Sequence, residues 1–228
     1  MNTAAPTEVL KDEATLQLDA RGNLRHLLTL EGLEKSLLTE ILDDAQAYLT
    51  EPGELPARGQ SLVGRSVANL FFEASTRTRA SFDLAGKRLG ADVLNLDVNT
   101  SSRKKGESIL DTIYTLEAMH VDIMVVRDAS AGVPAFIARH VLPHVSILNA
   151  GESDVSHPTQ GLLDVLTMRQ HKGSFEDLTV AIVGDIRHSR VAMSTSHALS
   201  TLGVGELRLI SPPVLAPDPD SVPGARIF

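Results

Sequence analysis

The residues best suited to chemistry fall in a few short stretches. One is 73-EASTRTR-79, directly after the apolar run VANLFF. Ser75, Thr76, Arg77, Thr78 and Arg79 occupy consecutive positions there. The pattern predicts a buried strand that ends and a helix that begins. A helix N-terminus presents unpaired N–H groups and partial positive charge, so it holds anions well. The hydroxyls add donors, and a guanidinium adds a fork matched to phosphate. The donor density points to a phosphate ligand. The alternative is a Ser/Thr N-cap with a surface arginine.

The other stretches share that position relative to predicted elements. 99-NTSSRKKGES-108 places Ser101, Arg103, Lys104 and Lys105 in a cationic loop ahead of a helix. Lys105 is a candidate charge that closes over an anion, in its own site or a neighbour's. The alternative is a solvated loop. Arg127 ends the strand VDIMVVR, on the edge of a sheet where ligands bind. A surface arginine is the alternative. 157-HPTQ-160 opens a helix with a proline in its first turn. There His157 can donate to a carbonyl oxygen, and Gln160 can use both ends of its amide. 184-GDIRHSR-190 places Arg187 and Arg190 at a second sheet edge, or facing solvent.

Several chemistries are excluded. The chain has no cysteine, so disulfides, thiolate catalysis and Cys-ligated zinc are ruled out. No GxGxxG and no GxxxxGK[ST] occurs, which argues against a nicotinamide cofactor and an ATP P-loop. The histidines lack metal-ligand spacing, so no metal and no other cofactor is expected. A net charge of −8 argues against nucleic acid. No apolar run is long enough to span a membrane, and the N-terminus has no signal-peptide core, so a cytoplasmic protein is expected.

The elements that must position these residues read as α/β. Candidate strands are 67–72, 92–96, 122–127, 145–148, 179–183 and 206–210. Candidate helices are 31–50, 77–89, 106–119, 133–140, 159–171 and 189–202. Continuous apolar strands alternating with helices predict doubly wound parallel sheets, covered on both faces. Two such domains are expected, the second incomplete: its last residues, ARIF, read as the start of another strand. Expected boundaries are a flexible extension at 1–22, a first domain at 23–158, an inter-domain helix at 159–175 and a second domain at 176–228.

Taken in order, STRTR, KKGES, the strand ending in Arg127, LNAG and HPTQGLLD resemble the aspartate/ornithine carbamoyltransferase family from about residue 25 onward. Within it, KKGES, LNAG and HPTQGLLD resemble the aspartate-specific catalytic chains, since ornithine enzymes generally lack the lysine at the Lys105 position. The resemblance implies transfer of the carbamoyl group of carbamoyl phosphate to L-aspartate, an early step of pyrimidine synthesis. It implies that Ser75, Thr76, Arg77 and Thr78 hold the phosphate and that Arg77 stabilises the leaving group. Thr78, Arg127 and His157 would polarise the carbamoyl oxygen, Gln160 would hold the carbamoyl nitrogen, and Arg190 an aspartate carboxylate. Ser101 and Lys105 would reach a neighbouring subunit's site. The implied unit is thus a homotrimer with shared sites, with a larger assembly including a second subunit type as a further expectation. The family's Arg-x-x-Gln segment and Pro-Leu-Pro loop are not present, so this chain is expected to bind aspartate poorly and to be a weak catalyst. Rival readings are an ornithine-type transferase, a non-catalytic subunit and a generic nucleotide-binding protein.

Overall fold

β1 (Ser66–Phe71) is buried along nearly its whole length, as a continuous apolar run in the middle of a parallel sheet must be. The computed structural model describes residues 16–96 and 108–228. It divides into two compact units, each discontinuous in sequence, one built mainly from residues 48–152 and the other from 29–47 and 153–228.

In the first unit, β1 is followed by α2 (Thr76–Arg88), β2 (Asp92–Leu96), α3 (Ile109–Ala118), β3 (Ile123–Asp128), α4 (Val133–His140) and β4 (Ser146–Glu152). All strand pairs are parallel, in the order β2-β1-β3-β4. Side chains alternate across the pleat. Ala68, Leu70 and Phe72 join Met124, Val126 and Ile147 under α3 and α4. Val67, Phe71 and Val125 meet Phe82 of α2 on the other face. The sheet is therefore doubly wound. Strand order reverses between β1 and β3, the crevice where open α/β sheets bind ligands. EASTRTR leaves β1, and Arg127 lies in β3, at that switch point.

Residues 16–22, grouped on sequence with the extension, carry defined contacts. Leu18 bridges Leu24, and buried Gln17 accepts the Leu28 N–H through its side chain at 2.7 Å. Ser108 opens α3 with a capping box, exchanging hydrogen bonds with Asp111.

In the second unit, α1 (Lys35–Gln46), α5 (Pro158–Lys172) and α6 (Arg190–Leu202) pack together beside the parallel sheet β5-β6-β7 (Thr179–Val183, Glu206–Ile210, Arg226–Ile227). The strand expected from ARIF is present as β7. α6 buries a run of small polar residues, Ser194, Thr195 and Ser196, which lets α5 come close. Gly161 sits at that approach: a Cβ there would stand 2.8 Å from Leu30 Cδ1 and 2.9 Å from the Ser194 carbonyl carbon. Backbone cannot swing aside as a side chain can. Gly161→Ala is expected to destabilise by about 1–3 kcal/mol, the range for overpacking, measured as a lower urea midpoint at constant m-value. An unchanged midpoint would show that α5 and α6 have slack.

Among the described residues, no helix is long and apolar enough to cross a membrane, and no group of three or more His, Asp or Glu comes together to hold a metal.

Candidate active site

The β1–α2 turn carries the densest set of donors. Ser75 is the N-cap of α2, in extended backbone, yet its hydroxyl makes no capping hydrogen bond. The simple capping alternative thus lacks its defining contact. Ser75 and Thr78 are half-buried, whereas Thr76 and Arg77 are exposed. The Thr78 carbonyl accepts from the Ser81 hydroxyl at 2.9 Å. Ser75, Thr76, Arg79, Asp83 and Asn95 line an open cleft of about 540 Å³. Arg79 lies over the Phe71 ring, 5.4 Å from its centroid, a cation–π contact that turns it toward the sheet.

One turn further along α2, Asp83 begins a polar chain that runs to β2 and β1. Lys87 and Asn95 both donate to Asp83, at 2.9 and 2.7 Å, and Asn69 donates to Asn95 at 2.9 Å. These bonds hold the Asp83 carboxyl below its ordinary range, the Lys87 bond most strongly.

Arg127 is buried, and its position is set by a register change. β3 and β4 shift between Val126 and Asp128, where one extra residue on β4 makes a bulge. Gly151 takes the left-handed conformation there, with φ 115°, and donates to Asn149 Oδ1 at 2.8 Å. The bulge brings the Ala150 carbonyl within 3.0 Å of Arg127 Nη1. Glu73 lies 3.2 Å from Nη2 of the same arginine. Both contacts restrain the guanidinium before any ligand arrives. Buried Glu152 supports the bulge from beneath: it accepts from Asn149 Nδ2 and from the Gly132 N–H, each at 2.9 Å.

In the second unit, His157 is the N-cap of α5 and is buried. Its backbone N–H donates to Ser194 Oγ at 2.9 Å, and Thr159 Oγ1 lies 3.5 Å from Nδ1. Gln160, one turn into α5, donates from Nε2 to Asp164 at 2.9 Å. Arg190 opens α6 and donates from Nη1 to the Ser153 carbonyl at 2.9 Å. Arg187 donates from Nη1 to the Val214 carbonyl at 3.5 Å and from its backbone N–H to the Leu215 carbonyl at 3.0 Å.

Within the first unit, Ser75, Thr76, Arg77, Thr78 and Arg127 thus lie at the carboxyl ends of adjacent strands. Within the second, His157 and Gln160 share the first turn of α5, and Arg190 opens the helix packed against it. Ser101 and Lys105 lie outside the described residues. Sequence reasoning passed over Glu73, Asp164 and Thr195. The Gln160–Asp164 spacing of four on a helix was the available signal for one of them.

Residues 25–170 match the family model for the aspartate/ornithine carbamoyltransferase carbamoyl-phosphate binding domain. Aspartate transcarbamoylase of Trypanosoma cruzi, solved with aspartate and phosphate, is 32% identical at a TM-score of 0.79, covering 90% of this chain and 69% of that one. The same enzyme with N-(phosphonacetyl)-L-aspartic acid is 33% identical at 0.72, covering 86% and 63%. Ornithine carbamoyltransferase of Thermus thermophilus is 29% identical at 0.79, covering 90% and 68%. The chain spans between 61% and 69% of the length of its Trypanosoma cruzi relatives. The matched domain, together with the identity across most of the chain, establishes that the protein belongs to the aspartate/ornithine carbamoyltransferase family.

Proposed function

We propose that the chain binds carbamoyl phosphate and serves in its reaction with L-aspartate, giving N-carbamoyl-L-aspartate and phosphate. The observation that carries this reading is the β1–α2 turn, an N-cap hydroxyl left uncommitted among phosphate-type donors on an open cleft. In this reading Ser75, Thr76, Arg77 and Thr78 take the phosphate, Thr78, Arg127 and His157 the carbamoyl oxygen, and Gln160 the carbamoyl nitrogen. Arg190 takes a carboxylate of aspartate, which requires it to leave Ser153. In this reading residues 23–158 act as the carbamoyl phosphate domain, although 29–47 and 153–158 group with the second unit, and 176–228 act as the amino-acid domain after the helix at 159–175.

The amine nitrogen of aspartate forms the new bond to the carbamoyl carbon. The bond from that carbon to the phosphate oxygen breaks, and phosphate leaves with its electron pair. The amine's proton passes to the departing phosphate or to solvent. Catalysis is orientation plus stabilisation of charge on the carbonyl oxygen and the leaving group. Aspartate is favoured over ornithine by the KKGES loop. The ornithine enzyme's equal TM-score keeps ornithine as the second amine to test.

The test is calorimetry with carbamoyl phosphate and with N-(phosphonacetyl)-L-aspartate, followed by product assays with each amine. Carbamoyl phosphate binding with an aspartate-dependent product supports the reading. Absence of carbamoyl phosphate binding to folded protein overturns it. The working unit is proposed as a homotrimer in which Ser101 and Lys105 act on a neighbour's site. Mixing Arg77→Ala with Lys105→Ala protein is then expected to restore up to about a quarter to a third of wild-type activity at shared sites, whereas each variant alone stays near background. No recovery on mixing would exclude sharing.

A further inference from the structure

The hydrogen bonds of Gln160 decide which end of its amide is offered at the start of α5. Nε2 donates to Asp164 Oδ1 at 2.9 Å. Asp164 Oδ2 accepts from Thr195 Oγ1 at 2.8 Å. A carboxylate accepts hydrogen bonds and does not donate them. Turning the amide round would set oxygen against oxygen, so Asp164 selects one of two orientations that are otherwise nearly equal in shape. The anchor is firm. Thr195 lies in the buried run of α6, and Ser194 beside it holds the His157 N–H at 2.9 Å. Gly161 lets the two helices approach closely enough for these bonds to form.

We infer that Asp164, held by Thr195, is a positioning residue that fixes Gln160 with its carbonyl oxygen as the offered acceptor, and so selects a carbamoyl NH₂ over a methyl group. The inference rests on the proposed function and adds to it the origin of substrate discrimination. An acceptor at this point rewards the N–H of a carbamoyl group. An acetyl group presents no donor there and leaves the acceptor unpaired. Sites built around one hydrogen bond reject an analogue that lacks it.

A matched ligand pair separates this role from a merely structural one. Phosphonoacetamide and 2-oxopropylphosphonate differ only in NH₂ against CH₃, and neither transfers its acyl group. Titration calorimetry on the wild-type chain is expected to favour phosphonoacetamide about tenfold. In Asp164→Ala the preference is expected to fall to within about twofold, with inorganic phosphate binding unchanged within about twofold. Asp164→Asn, whose amide can accept or donate, is expected to retain an intermediate preference of about threefold. Gln160→Leu is expected to abolish the preference, with no further change when combined with Asp164→Ala.

A wild-type preference retained in Asp164→Ala overturns the inference. So does an equal loss for both phosphonates and phosphate, the signature of a structural role. If Asp164→Ala does not fold, Asp164→Asn carries the test, and an unchanged ratio there overturns it. If the wild-type chain binds neither phosphonate, the proposed function fails first and the inference falls with it.

Discussion

Arg77→Ala is expected to weaken carbamoyl phosphate binding about 10- to 100-fold, the loss of a charge-assisted hydrogen bond to phosphate. Turnover, where measurable, is expected to fall about 10²- to 10³-fold, because the same guanidinium would stabilise charge growing on the departing phosphate. Stability should barely move. Arg77 is exposed at the start of α2, and exposed substitutions usually change stability by less than about 0.5 kcal/mol. The effect therefore separates site from scaffold. Calorimetry with carbamoyl phosphate and with inorganic phosphate should show parallel losses, since both present the same oxygens. Unchanged affinity for both would remove Arg77 from the phosphate site and leave the turn as an ordinary helix start.

The second large effect is on stability against acid. His26 is fully buried in the first unit and accepts the Ile147 N–H through Nδ1 at 3.0 Å. Burial, and then the neighbouring charge of Arg25, lowers its pKa to about 4. His197 is buried in α6 and is likewise lowered to about 4 by burial. Glu31 stands 4.0 Å from its Nε2 and would favour the charged ring, but desolvation outweighs it.

Both rings are neutral in the folded protein down to about pH 4, whereas unfolded histidine takes up its proton below about 6.5. The unfolded state thus binds more protons between those values, so stability falls as pH falls. The full loss is about 3 kcal/mol for each histidine, from a shift of roughly two and a half units at 1.36 kcal/mol each. That is large beside a typical total of about 5–15 kcal/mol. Exposed carboxylates whose pKa is lowered, such as Asp111 and Glu206, lose their contribution only nearer pH 4 and below. Urea midpoints between pH 7.5 and 5 should therefore drop mainly through the histidines. His26→Asn, which keeps an acceptor for the Ile147 N–H, should flatten the slope. A slope that survives in both His26→Asn and a His197 variant would place the acid sensitivity elsewhere.

Much of this architecture is legible in the chain because continuous apolar strands leave few alternatives. β1, β2 and β5 lie where hydrophobicity places them. β4 does not stop where hydrophobicity stops. It runs past Leu148 to Glu152, since Asn149 and Glu152 satisfy each other inside the protein and behave as core residues. The bulge that aims Arg127 is equally hidden, because register depends on the partner strand. The β1–α2 turn could be singled out from donor density alone. For Asp164 the only signal was its spacing of four from Gln160, weak because a carboxylate on a mostly polar helix usually faces water, and only the partner helix reveals Thr195. Glu73 stood inside the quoted motif, but its pairing with Arg127 joins the ends of separate strands.

The uncommitted hydroxyl of Ser75 has a thermodynamic consequence. A helix whose first N–H groups lack a side-chain cap is less stable by about 1 kcal/mol than a capped one. A bound phosphate would act as that cap. The melting temperature of the first unit should then depend on ligand concentration, with about 2.7 kcal/mol gained at one hundred times Kd. Amide exchange at Thr76, Arg77 and Thr78, the first amides of the helix, should slow most of all. The supply of substrate would thereby set how long the protein persists as well as how fast it works.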